Sequence, residues 1–220
     1  MNRGNPFLFY TERRLVRLTG LRARTLGQLL AQLREVPGSA VFYHTHHMYL
    51  AHHFETPAFS NDFALWTGEA LQMRALAEKL AAVDLLSFTS IRDLRDAIAA
   101  TMERHAAETG AAARECPPGD EFHFCRSKSF IMPTGLVART PRELFELMAR
   151  VSNVSLFFHL FEARLRLGRP SNDFSRWLEG RGEPALAKAI EEMDPYAVTL
   201  DELRDKIVAL YPGAGKGASA

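Results

Sequence analysis

Five of the eight histidines fall between His44 and His53. Imidazole is the commonest metal ligand and the side chain that titrates closest to neutrality, so such a cluster points to metal binding or proton transfer. Helical spacing thins it. His46 and His53 would share a face two turns apart, about 10 Å along the axis, too far to grip one ion. His52 and His53 are neighbours and point in different directions. His44 and His47, at i and i+3, are the pair that would present two rings together.

A second copy sharpens this reading, because the chain is written twice. Phe7-x-Phe9 recurs as Phe122-x-Phe124, and at the same offset Gly20-Leu21, Arg24-Thr25 and Phe42-x-His44 recur as Gly135-Leu136, Arg139-Thr140 and Phe157-x-His159. That offset carries His44 onto His159 and His47 onto Glu162. If the two helices met, His44, His47, His159 and Glu162 would converge as ligands do in helical-bundle metal sites. Asp62 and Asp173 would be further carboxylates. They lie in a second repeated element, Ser60-Asn61-Asp62-Phe63-x-x-Trp66 and Ser171-Asn172-Asp173-Phe174-x-x-Trp177. The plainer reading of that element is a helix cap, from Ser, Asn and Asp, followed by a core face from Phe and Trp at i and i+3.

Arginine supplies the other candidate chemistry, since a guanidinium fork suits phosphate or carboxylate. One cluster opens the chain, with Arg3, Arg13, Arg14, Arg17, Arg22 and Arg24; Arg139 repeats Arg24. A second cluster comprises Arg164, Arg166, Arg169, Arg176 and Arg181. Arg13, Arg14, Arg17, Arg24 and Arg139 are the expected anion contacts. There is no Gly-rich phosphate loop after a strand and no Gly-x-Ser-x-Gly elbow, which argues against those nucleotide and hydrolase classes.

The elements that must position these groups follow from local signals. Each copy opens with a short alternating aromatic strand, Phe7 to Tyr10 and Phe122 to Cys125, then an extended stretch to Gly20 or Gly135, where a turn with positive φ is expected. Thr25-x-x-Gln28 and Thr140-Pro141-x-Glu143 are helix starts of the capping-box kind. About five helices follow per copy, the last beginning at Ser90-x-x-Asp93 and Thr199-x-x-Glu202. Arg95-Asp96 and Arg204-Asp205 are expected to be ion pairs that position those last helices. The fold expected is α+β and mostly helical. It is a tandem internal duplication with pseudo-two-fold symmetry and a short strand or hairpin in each copy. The boundaries are residues 1–105, a linker at 106–120, a second repeat at 121–211, and a disordered Gly/Ala tail at 212–220.

Composition fits an ordinary globular chain, 47% hydrophobic and 24% charged, with net charge +1. No field of one sign recruits nucleic acid or membrane. The opening apolar run, Pro6 to Phe9, is too short for a leader or a spanning helix, so a cytoplasmic location is expected. Cys116 and Cys125 flank Pro117-Pro118-Gly119 and are expected to be reduced thiols.

The stretch from Phe157 to Leu178, with Glu121-Phe122-His123-Phe124-Cys125 and Pro133-Thr134-Gly135-Leu136, resembles a bacterial and archaeal family catalogued as a domain of unknown function. The resemblance spans nearly the whole chain and carries no reaction with it. The expected function is a non-catalytic binding or regulatory module. Its polar inter-repeat groove, around His44, His47, His159, Glu162, Asp62 and Asp173, would take a small anionic ligand or a protein partner. One alternative is a metal-dependent hydrolase or oxidoreductase, with a divalent metal on His44, His47, His159 and Glu162. Another is phosphate or nucleic-acid binding by the N-terminal arginines.

Overall fold

The protein is described by a computed structural model that covers residues 5–51 and 59–211. Arg3, His52, His53 and the tail expected to be disordered lie outside the described residues. The fold is α+β and mostly helical, with a two-stranded antiparallel sheet. Two compact units divide it. One contains described residues 14–51 and 59–128, here the early-helix unit; the other contains 5–13 and 129–211, the late-helix unit.

Strand β1 (Phe7–Ala23) and strand β2 (Phe122–Ala138) are each 17 residues long, well beyond the short aromatic strands expected. Gly20 and Gly135 do have positive φ, 84° and 82°, but the strand continues through them instead of turning. The preceding threonine spans each glycine. The Thr19 hydroxyl accepts from Leu21 N–H and donates to the Phe124 carbonyl at 2.7 Å; the Thr134 hydroxyl accepts from Leu136 N–H and donates to the Phe9 carbonyl at 2.9 Å. Ladder partners at both ends hold the chain extended where a lone glycine would let it bend.

Antiparallel pairing decides which helices each strand half serves. The C-terminal end of β1 runs straight into the first helices, and the segment paired with it is the N-terminal half of β2. Each unit therefore takes the second half of one strand and the first half of the other.

In the early-helix unit, α1 (Leu26–Glu35) buries Leu26, Leu29 and Leu33 on one stripe, and Thr25 caps it by accepting from Gln28 N–H at 3.1 Å. Then α2 (Gly38–Phe42) continues through a π-helical turn (Tyr43–His47) into α3 (Met48–Ala51). Helices α4 (Asp62–Glu69), α5 (Arg74–Ala81) and α6 (Ile91–Thr109) complete the unit. The linker expected from Ala106 starts later, because α6 runs to Thr109 and Gly110, at φ 67°, ends it. Arg95 does not pair with its neighbour Asp96; it donates to the carbonyls of Arg34 and Val36 at the end of α1. A guanidinium is worth more on the orphan carbonyls of a helix C-terminus than on an exposed neighbour.

The late-helix unit repeats this order. Helix α7 (Pro141–Met148) is capped by Thr140, and α8 (Asn153–Phe157) passes through a second π-helical turn (Phe158–Glu162) into α9 (Ala163–Leu167). Helices α10 (Asp173–Glu179), α11 (Pro184–Glu191) and α12 (Leu200–Ala209) follow, the last closed by a full capping box from Thr199 and Glu202. Arg204 reaches Asp201 and Asn153 in preference to Asp205. Among the described residues no helix is long and apolar enough to cross a membrane.

Candidate functional site

Both π-helical turns carry the histidine of the repeated Phe-x-His element, and a π turn inside a helix is often kept for a local purpose. Here the purpose is visible. In the early-helix unit His44, 3% exposed, places Nδ1 2.7 Å from Asp62 Oδ2, while its Nε2 accepts from the Cys125 backbone N–H at 2.9 Å. In the late-helix unit His159, 2% exposed, places Nδ1 2.8 Å from Asp173 Oδ2, and its Nε2 accepts from the Tyr10 N–H at 2.8 Å. A backbone N–H can only donate, so Nε2 is the bare nitrogen and Nδ1 carries the proton to the carboxylate. Each ring is a neutral bridge between strand, π turn and the next helix.

The surroundings match as closely. The His44 ring lies 4.7 Å from Phe122, Phe63 stacks on Phe122 at 5.3 Å, and Trp66 donates its indole N–H to the Asp120 carbonyl. The His159 ring lies 4.9 Å from Phe7, Phe174 stacks on Phe7 at 5.1 Å, and Trp177 donates to the Asn5 carbonyl. The repeated Ser-Asn-Asp element explains the placement of the carboxylates. Asn61 and Asn172 are the N-caps, accepting from Ala64 and Ser175 N–H, and this fixes Asp62 and Asp173 in the first helical position facing the imidazole.

Burial pushes the His159 pKa down, against the pull of the Asp173 carboxylate. Burial also raises the Asp173 carboxyl, but hydrogen bonds from His159 and Arg166 outweigh it and hold it below the ordinary range. His46 is buried with its ring 5.3 Å from Phe42 and nearly parallel; burial, then the Arg14 charge, drives it down to about 3. The corresponding aromatic contact in the other unit is Phe161 on Phe157, at 5.2 Å.

The proposed ligand set divides accordingly. His44 and Asp62 meet in one unit, and His159 and Asp173 meet in the other. His47 is half-buried against Tyr43 at 4.9 Å, and burial, then Arg14, pushes its pKa down to about 4. Glu162 is buried on its own π turn. Each π turn carries both members of its pair, His44 with His47 and His159 with Glu162, and His44 lies near enough to His47 to help lower its pKa. Among the described residues no group of three or more His, Cys, Asp or Glu is placed to hold a metal ion. The rings of His44 and His159 have no lone pair left for one.

The arginines expected to bind anions have separate settings. Arg13 and Arg17 are exposed on β1, the Arg14 guanidinium lies 5.0 Å over the Phe42 ring, and Arg24 pairs with Glu115 at 3.4 Å. Arg139 is exposed at the start of α7, where its N–H donates to Glu143. It is the later cluster that gathers. Arg166, Arg176 and Arg181 line one cavity of about 650 Å³ in the late-helix unit, together with His159, Asp173 and Trp177. Arg166 bridges to Asp173 at 2.6 Å and lies over the Phe158 ring. Arg181 donates to the carbonyls of Arg139 and Asn5 and lies 4.5 Å over Trp177. Arg176 makes no ion pair among the described residues.

A cavity of about 600 Å³ occupies the matching place in the early-helix unit, lined by His44, Asp62 and Trp66. At the steps held by Arg176 and Arg181 it has Leu65 and Ala70, and Glu69, Asp120 and Glu121 add acid. Sequence reasoning saw the second arginine cluster but had no means of telling which members share a wall. Their i, i+5 spacing from Arg176 to Arg181 marks no face of a regular helix.

A family model described as a family of unknown function, DUF5752, matches residues 4–211. The chain belongs to that family. Among solved structures this DUF5752 protein is similar to OrfY from Thermoproteus tenax, with 30% identity, 95% of each chain covered and a TM-score of 0.82. No curated protein matches the chain.

Proposed function

We propose that this DUF5752 protein is a non-catalytic binding module for a small anion, held in the arginine-lined cavity of the late-helix unit. The observation that carries the reading is the double hydrogen bonding of His159 in the wall of that cavity. A ring whose bare nitrogen is capped by a backbone N–H cannot take a proton from a substrate without giving up that bond. The histidine and its aspartate brace the cavity, and the arginines give it a sign. The paired sets of contacts support an origin by duplication, with one ancestral cavity now present in two versions. Two free cysteines fit a reducing compartment, and hence the cytoplasm.

The test is thermal unfolding of the full chain with inorganic phosphate, phenyl phosphate or benzoate, each against sodium chloride of equal ionic strength. A ligand that binds the native state alone raises the midpoint as its concentration passes Kd. Stabilisation beyond the salt control by at least one of the three is expected. Midpoints that follow ionic strength alone with all three would overturn the reading.

A further inference from the structure

The two cavities occupy corresponding places and carry opposite charge. Among the described residues, the lining in the late-helix unit has three arginines and one aspartate, a formal +2. The lining in the early-helix unit has, among the described residues, four carboxylates and no arginine or lysine. The scaffold beneath is the same in both: imidazole on carboxylate, imidazole under a strand N–H, and an indole N–H on a strand carbonyl. A scaffold kept while the lining reverses sign is what is expected when one cavity retains a charged ligand and the other stops receiving it.

The chemistry of the positive cavity narrows the ligand. Arg166 is already matched by Asp173, while Arg176, which makes no ion pair among the described residues, shares the cavity wall with Arg181. The Arg181 guanidinium is held in place by two backbone carbonyls and the Trp177 ring, so little freedom is lost when it bonds an oxyanion. A phosphate monoester, with a charge between about −1.5 and −2 at neutral pH and three acceptor oxygens, satisfies two forks better than a carboxylate does. Beside Asn5, Tyr10 and His159, most of the remaining lining is apolar. Leu8 and Ile131, 45% and 53% exposed, face the same cavity with Phe158 and Trp177. Exposed aliphatic side chains beside guanidinium groups suit a guest with a charged head and an apolar or flat body.

We infer that the late-helix cavity binds a phosphate monoester bearing an apolar or aromatic group, one per chain, and that the early-helix cavity does not. This rests on the reading of the late-helix cavity as an anion site. Arg176 and Arg181 take the phosphate, and the wall of Leu8, Ile131 and Trp177 takes the body.

Calorimetric titration of the full chain at low salt tests it, with phenyl phosphate, inorganic phosphate and benzoate as probes. Phenyl phosphate is expected to bind with a stoichiometry of one, about tenfold or more tighter than either other probe, as one added apolar or ionic contact implies. Arg176→Leu, which installs the residue that the acidic cavity has at that step, should weaken it by a similar factor, with the circular dichroism spectrum unchanged. Arg181→Ala gives a second reading if it too remains folded. Benzoate binding as tightly as phenyl phosphate would overturn the phosphate assignment and leave the anion reading in place. Two phenyl phosphates per chain would overturn the claim that one cavity lost the ligand. Unchanged affinity in folded Arg176→Leu would put the site elsewhere, and no binding of any probe would remove both readings.

Discussion

His46 gives the sharpest test of the packing. Its ring is buried, stacked on Phe42, and kept neutral down to about pH 3 by burial and by the Arg14 charge. A histidine whose folded pKa is depressed contributes stability that is present above its unfolded pKa and is lost as pH falls below it, because the unfolded chain takes up a proton that the native state refuses. With an unfolded value of about 6.5, the loss between about pH 7.5 and about pH 5 comes to about 2 kcal/mol from this residue. His46→Phe, which copies the Phe161–Phe157 contact of the other unit, should abolish that part of the loss. Any overpacking, typically about 1–3 kcal/mol, is present at both pH values and cancels in the difference. The measurement is urea unfolding at the two pH values. It follows Trp66, one of two tryptophans, with Trp177→Phe as the common background. Parent and variant losing equal stability between the two conditions would show that His46 is not held neutral.

Two further outcomes follow from the bridging histidines. Asp173→Ala strands a buried imidazole N–H and releases Arg166, and should cost about 1–3 kcal/mol, whereas Asp173→Asn keeps an acceptor for that N–H and should cost less; equal costs in denaturant titration would mean that the carboxylate is not the acceptor. Since the Asp173 carboxyl is held low in the fold, its contribution is present above an unfolded pKa near 4 and is lost as pH drops further, so the gap between the parent and Asp173→Ala should close in strong acid. Asn172→Ala removes the cap that aims Asp173 and should cost about 1 kcal/mol or somewhat more; the buried Asn172 amide also donates to Ser175, so a loss below a few tenths would contradict the cap.

Much of this was legible in the residues. Phe-x-Phe and Phe-x-His recur at one spacing and Ser-Asn-Asp-Phe at a slightly shorter one, which marks the parts that recur, and the capping residues start the helices where they are found. The His–Asp bonds were within reach, since both types recur together, but their second partners were not. The nitrogens of His44 and His159 end on the backbone N–H groups of Cys125 and Tyr10, and a backbone group has no signature in a sequence. The π turns leave no composition signal either, so nothing in the residue types marks Tyr43–His47 and Phe158–Glu162 as departures from a regular helix. The arginine-lined cavity was missed because Arg166 and Arg176 come from two helices and Arg181 from beyond the second.

The crossing of strand halves has one more consequence. Phe122 and Phe124, encoded after α6, fill the core beneath α4, while Phe7 and Phe9, encoded before α1, fill the core beneath α10. Neither stretch of gene, translated alone, contains the aromatic plug for its own helices. On the duplication proposed above, a half-length ancestor would have had to borrow that plug from a twin, so fusing two genes end to end would have turned a concentration-dependent pairing of molecules into an intramolecular one.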